Sequence, residues 1–133
     1  MGLLELLLLY LSFQLKHLLC DYLQPHWVAI SKGKAIRGVG GKALLHHAGI
    51  HAMGTFIVAM IFAPMFWWLS LVDFFVHGTI DRVKSILVDK NKWSMDSKRF
   101  WFVFGLDQEA HNLTHLAYIL TIFFHANPSL TLL

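Results

Sequence analysis

Charge is scarce in this chain. Only 14% of its 133 residues are Asp, Glu, Lys or Arg, where a soluble domain usually carries about 25%. With 56% hydrophobic residues and a mean hydropathy of +0.56, that shortfall argues against an ordinary water-facing surface and points to lipid as the solvent. Cysteine is nearly missing as well. Cys20 stands alone, so no internal disulfide can form. No basic residue precedes the apolar run from Leu3 to Leu11, and no small-residue cleavage pattern follows it. The N-terminal stretch is therefore read as a retained helix rather than a signal peptide. A phosphate loop is absent too. Gly38-Val39-Gly40-Gly41-Lys42 has Ile36 where the first glycine belongs, and neither Ser nor Thr follows Lys42. That stretch reads as a flexible basic loop.

What the chain does have is four long apolar segments, at about 3–23, 42–62, 65–88 and 100–125. Each approaches the ~20 residues that cross about 30 Å of hydrocarbon. They predict one all-α domain over residues 1–133, a four-helix transmembrane bundle. Segments two and three are parted only by Ala63-Pro64, which predicts a tight hairpin with Pro64 opening the third helix. Ala48, Ala52 and Gly54 mark close helix packing. The other connections, 24–41 and 89–99, are polar loops. Ten of the eleven Lys and Arg lie in or beside those two loops. The positive-inside rule then makes both loops cytoplasmic and puts both termini outside. Tyr22, Trp27, Trp93 and Trp101 would belt the inner interface, and Trp67 and Trp68 the outer one. Read by position, the basic residues mark a membrane side, not a nucleic-acid partner. A bacterial inner membrane is the expected location, and a homo-oligomer is left open.

Ionisable groups in a bilayer core are expensive and mark function. Here they come in pairs: His17/Asp21, His47/His51, His77/Asp81 and Asp107/His111. The i, i+4 spacing puts both members on one helical face. Asp73 and His115 extend two of these stripes by a turn. Fifteen His and Asp in 133 residues would give one or two such pairs by random placement; six occur. At ~1.5 Å per residue from the cytoplasmic loops, the four pairs reach one layer of the inner leaflet. Eight imidazole and carboxylate ligands suit zinc first, then iron or manganese, and suffice for one or two divalent ions. Such pairs on facing helices are how four-helix bundles build dinuclear sites. His26, His46 and His125 read as interfacial or helix-end residues, Glu109 as off the ligand face, and Asp89 and Asp96 as solvated.

The residues that carry these pairs are His17-Leu-Leu-Cys20-Asp21-Tyr-Leu-Gln24-Pro, Leu45-His-His47 with His51, His77-Gly-Thr-Ile-Asp81 and Asp107-Gln108-x-x-His111. In that order they resemble a short bacterial and phage membrane-protein family, domain-of-unknown-function family 3307, across nearly the whole chain. Cys20 stands where the family usually has Ala. The pattern is also distantly similar to membrane-bound metal-dependent hydrolases of the YdjM type, which implies metal and hydrolysis by analogy. The expected activity is metal-assisted hydrolysis: water with its pKa lowered attacks an ester or phosphoester of a lipid or lipid-linked substrate at the inner leaflet. An ion- or proton-coupled transporter, or a non-catalytic partner stapled by a structural metal, are the alternatives.

Overall fold

The computed structural model describes residues 1–34 and 36–129; among these every regular element is a helix and there is no strand. Four long helices, α1 (Leu3–Tyr22), α3 (Val39–Phe62), α4 (Leu69–Asn91) and α5 (Lys98–Ala126), form the bundle, with a short α2 (His26–Ser31) in the first connection. Helix α3 packs against α1, α2 and α4, while α5 packs against α4 and α1, so the ring of four closes.

The boundaries depart from expectation where glycine and proline act. The stretch 38–42 is not a flexible loop. Gly38 takes φ +88°, which L side chains rarely adopt, and α3 begins at the next residue. Gly40 and Gly41 are buried in its first turn. A Cβ on Gly41 would lie 2.0 Å from the Ile36 carbonyl oxygen, so only glycine lets the chain close this tightly. Pro64 opens a 3-10 turn, Pro64–Phe66, and not α4 itself, which starts at Leu69. Helix α2 follows Pro25, whose carbonyl accepts from the amides of Val28 and Ala29; Val28 and Ser31 are its buried residues. Six residues are too few to show a hydrophobic period, which is why this helix passed as loop. Ser97 caps α5 by accepting from the Arg99 amide.

The interior is layered along the bundle axis. At the end that holds the N-terminus and the Pro64 turn, Leu9, Phe13, Val58, Phe66, Leu69, Tyr118, Ile119 and Ile122 form the core. The Met1 ammonium donates to Asn127 Oδ1 at 3.3 Å, so the N-terminus meets the C-terminal end of α5 there. Toward the other end the interior turns polar. His47, His51, Asp73, His77, Asp81, Asp107, His111 and His115 are all at most 4% exposed. The outside is the reverse, with Leu7, Leu11, Leu15 and Leu18 on α1, Met53, Ile57 and Ile61 on α3, Leu71 and Phe75 on α4, and Phe102, Leu113 and Leu120 on α5 all exposed.

Two helices, Leu3–Tyr22 and Val39–Phe62, are long and apolar enough to cross a membrane. Helices α4 and α5 have the length but are more polar: the middle of α4 carries Asp73, Asp81, Arg82 and Lys84, and α5 carries Asp107, Glu109, His111, Asn112 and His115. Several of those charges, Asp73, Asp81 and Asp107, are buried inside the bundle.

Candidate metal centre

All four predicted pairs come together. Helix α1 supplies His17 and Asp21, α3 His47 and His51, α4 His77 and Asp81, and α5 Asp107 and His111. Four triads of these residues have donor atoms within 4.8 Å of one another: His17/His51/His77, Asp21/His47/His51, His47/His77/Asp81 and Asp81/Asp107/His111. Together they use all eight expected ligands. Two of them, Asp21/His47/His51 and Asp81/Asp107/His111, share no residue, so the eight donors include two separate triads.

The spacing of the donors is telling. Ligands at ~2.0–2.2 Å from one ion sit about 3.0–3.6 Å from each other. His47 Nε2 lies 3.0 Å from Asp81 Oδ2 and 3.1 Å from His77 Nε2. His51 Nε2 lies 3.6 Å from Asp21 Oδ1, and His77 Nε2 3.6 Å from Asp81 Oδ2. The His51 and His77 rings stack at 3.7 Å, and His77 and His111 lie 4.0 Å apart.

Ring orientation fits ligation as well. Ligating histidines normally donate their second ring N–H to an acceptor, which leaves the other nitrogen bare. His111 Nδ1 is 2.8 Å from the Asp107 carbonyl oxygen, and His47 Nδ1 is 2.9 Å from Gln24 Oε1. Their Nε2 atoms face the cluster. Several buried atoms here have no hydrogen-bond partner, among them His51 Nε2, His111 Nε2, Asp81 Oδ2 and Asp107 Oδ1. Such atoms each cost about 1–3 kcal/mol unless something satisfies them. Their clustering at donor spacing fits a divalent ion.

Three lysines were missed. Lys32 Nζ is 2.9 Å from His47 Nε2 and 3.5 Å from Asp21 Oδ1. Lys84 Nζ bridges Asp81 Oδ1 at 3.3 Å and Asp107 Oδ2 at 3.2 Å. By sequence both mark a membrane side, yet Lys84 also stands at i+3 from Asp81 on the site face. Lys16 is buried at 6% exposure, one residue from His17. It pairs with Asp73 Oδ2 at 2.8 Å and approaches His115 Nε2 at 3.3 Å, and the Thr55 hydroxyl donates to the same carboxylate oxygen at 2.7 Å. Lys16 was legible as the eleventh basic residue, alone within an apolar run.

Two cavities reach the layer. One of about 610 Å³ lies between α2, α4 and the start of α5, with Lys32, Asp81 and Lys84 in its wall. The other, about 520 Å³, opens between α1 and α5 beside His17, Asp21 and Gln108. In the opposite direction the polar column ends. His115 stacks on Phe13 at 5.2 Å, and the apolar core lies beyond. His26, His46 and His125 are exposed, His46 against Trp27 and His125 against Phe66. Glu109, Asp89 and Asp96 are exposed and outside the cluster.

A family model described as a protein of unknown function (DUF3307) matches residues 7–133. The chain belongs to that family. No curated protein and no solved structure matches it. Within this family member, the matched span carries every residue of the His/Asp layer and all three buried or half-buried lysines.

Proposed function

We propose that this family member is a four-span membrane protein of the bacterial inner membrane that binds one or two divalent ions, zinc first, and hydrolyses an ester or phosphoester of a lipid or lipid-linked substrate at the cytoplasmic leaflet. Support for four spans comes from the inverted burial. Leucine stripes left in water would cost about 1.5–3 kcal/mol per side chain relative to burial, and lipid removes that cost. Of the charges in the middle of α4 and α5, Asp73, Asp81 and Asp107 are buried and Lys84 half-buried against two of them, while Glu109 is exposed on α5. The N-terminus and the C-terminal end of α5 meet at the end away from the basic loops, as the proposed topology requires.

The observation that carries the reading is the set of eight donors at ligand spacing, reached by two cavities from the loop end. An ion there would lower the pKa of a coordinated water toward neutrality and polarise the scissile group. Hydrolysis there would use one water: its oxygen would go to the acyl carbon or phosphorus as the ester bond breaks, and one of its protons would leave on the alcohol. Gln24 and the Asp107 carbonyl hold the His47 and His111 rings in place, and Lys32 and Lys84 hold the carboxylates. The distant resemblance to metal-dependent hydrolases points the same way.

Transport is the second reading, and the Lys16–Asp73–His115 cluster one layer deeper favours it. The apolar plug beyond Phe13 weighs against a through-route, and the open cavities weigh against a purely structural metal. Purified protein assayed for metal content and for hydrolysis of a phospholipid and polyprenyl-phosphate panel tests the proposal. Metal-dependent turnover lost in Asp81→Asn and His111→Ala is the expected result. Ion flux into liposomes without turnover would assign the transporter.

A further inference from the structure

The charge of the layer narrows the substrate. Asp21, Asp81 and Asp107 contribute three negative charges, and Lys32 and Lys84 two positive ones, which leaves −1. Ligating histidines are neutral. One divalent ion would take the site to +1, and two to +3. A net positive charge this deep is costly unless an anion accompanies it. The two ammonium groups that tip the balance flank Asp81, with Nζ atoms 4.0 and 3.3 Å from its carboxylate oxygens. Both lysines also line both cavities, and so stand at their junction. The larger cavity continues past them along Ile30, Val88, Trp93, Met95 and Phe100, a wall suited to hydrocarbon.

Resting on the hydrolase reading, we propose that Lys32 and Lys84 form a phosphoryl-binding subsite, and that the substrate is a phosphate ester with an apolar chain rather than a neutral ester. A phosphoryl group brings up to two negative charges and acceptor oxygens for both ammonium groups. A neutral ester would leave the loaded site unbalanced.

The test uses full-length, zinc-loaded protein in detergent, with zinc content measured in every sample. The probes are inorganic phosphate, decyl phosphate and the neutral decyl acetate. Wild type should bind decyl phosphate and not decyl acetate. Lys32→Met and Lys84→Met should each weaken decyl phosphate at least tenfold, while Lys32→Arg and Lys84→Arg stay within threefold and zinc content is unchanged. Decyl phosphate binding at least tenfold tighter than inorganic phosphate would place the phosphoryl group on a lipid; equal affinities would make the source a free phosphate compound. Zinc-loaded wild type that ignores both phosphates, or takes decyl acetate as tightly, overturns the inference and leaves the metal site standing. Wild type that holds no zinc removes the metal site first, and the inference with it. Where a Met variant loses zinc, the contrast between decyl phosphate and decyl acetate on wild type decides.

Discussion

Removing the Lys16 ammonium should destabilise the bundle more than any surface change. The pair is dry: the Lys16 and Asp73 side chains are 4% and 1% exposed and meet at 2.8 Å. Lys16→Met keeps the length and apolar stem of the side chain and deletes the charge. Asp73 is then a buried carboxylate with the Thr55 hydroxyl as its donor. Breaking a buried pair from one side costs about 3–5 kcal/mol, whereas removing both partners is often neutral or better. Lys16→Met alone should therefore lose about 3–5 kcal/mol, and Lys16→Met with Asp73→Asn should recover at least half of it. The assay is equilibrium unfolding in mixed micelles followed by helicity, run as a double-mutant cycle. A single variant within about 1 kcal/mol of wild type, or a double variant less stable than the single, would refute the reasoning. The double variant should also keep its metal, because neither residue is among the eight donors. The same logic applies to Asp73→Asn: alone it strands the Lys16 ammonium, so a loss of function there would report folding rather than a transport path.

Protein purified without chelator should hold about one or two equivalents of zinc, iron or manganese; elemental analysis should show His51→Ala and Asp107→Ala sharply depleted and His125→Ala unchanged. Gly54→Ala should cost about 1–3 kcal/mol by the same unfolding assay, because its Cβ would lie 2.7 Å from Lys16 Cγ and 3.1 Å from Cys20 Sγ. Normal stability there would mean that α1 and α3 are not packed as described. Cysteines at Arg37 and Asn91 in a Cys20→Ala background should resist an impermeant thiol reagent on intact cells; labelling of either would invert the topology. Both native positions are exposed, whereas Ser31 is buried and would be protected on either side of the membrane.

The site was legible because a histidine or aspartate in an apolar run can hide only on the inner face, and i, i+4 spacing says which face that is. Depth counted from the loops then brought four pairs to one layer. The lysines were not legible by the same route. A lysine beside a loop satisfies the positive-inside rule whether its ammonium faces water or reaches inward, so Lys32 and Lys84 looked explained already. Helix α1 shows what a fuller reading would have used. Leu9, Phe13, Lys16 and Cys20 form one stripe, four, three and four residues apart, and it is this stripe that is buried. His17, a position further round, is half-buried, and Leu15 and Leu18 on either side are exposed. The helix boundaries failed at Gly38 and Pro64 for a different reason: a positive φ and a 3-10 turn are local conformations that composition does not reveal.

If lipid surrounds the bundle, apolar burial contributes little to holding the helices together, and close packing with interhelical polar contacts must carry more. The layers divide that work. At the N-terminal end of α1, Leu9, Phe13, Val58 and Ile122 interdigitate from three helices, and the Tyr118 hydroxyl is the one orphaned polar group in that cluster among the described residues. In the middle, Lys16 ties α1 to α4 through Asp73, and Thr55 ties α3 to the same carboxylate. Gly54 makes room for that lysine to pass. These two layers can fix the helix positions before the third is considered. The His/Asp layer can then keep orphaned donors and acceptors, which a protein held together only there could not carry. Unsatisfied groups on a rigid frame are what a binding site requires. The apolar layer also closes the column on one side, and Lys32 and Lys84 line both of the cavities that reach the donors.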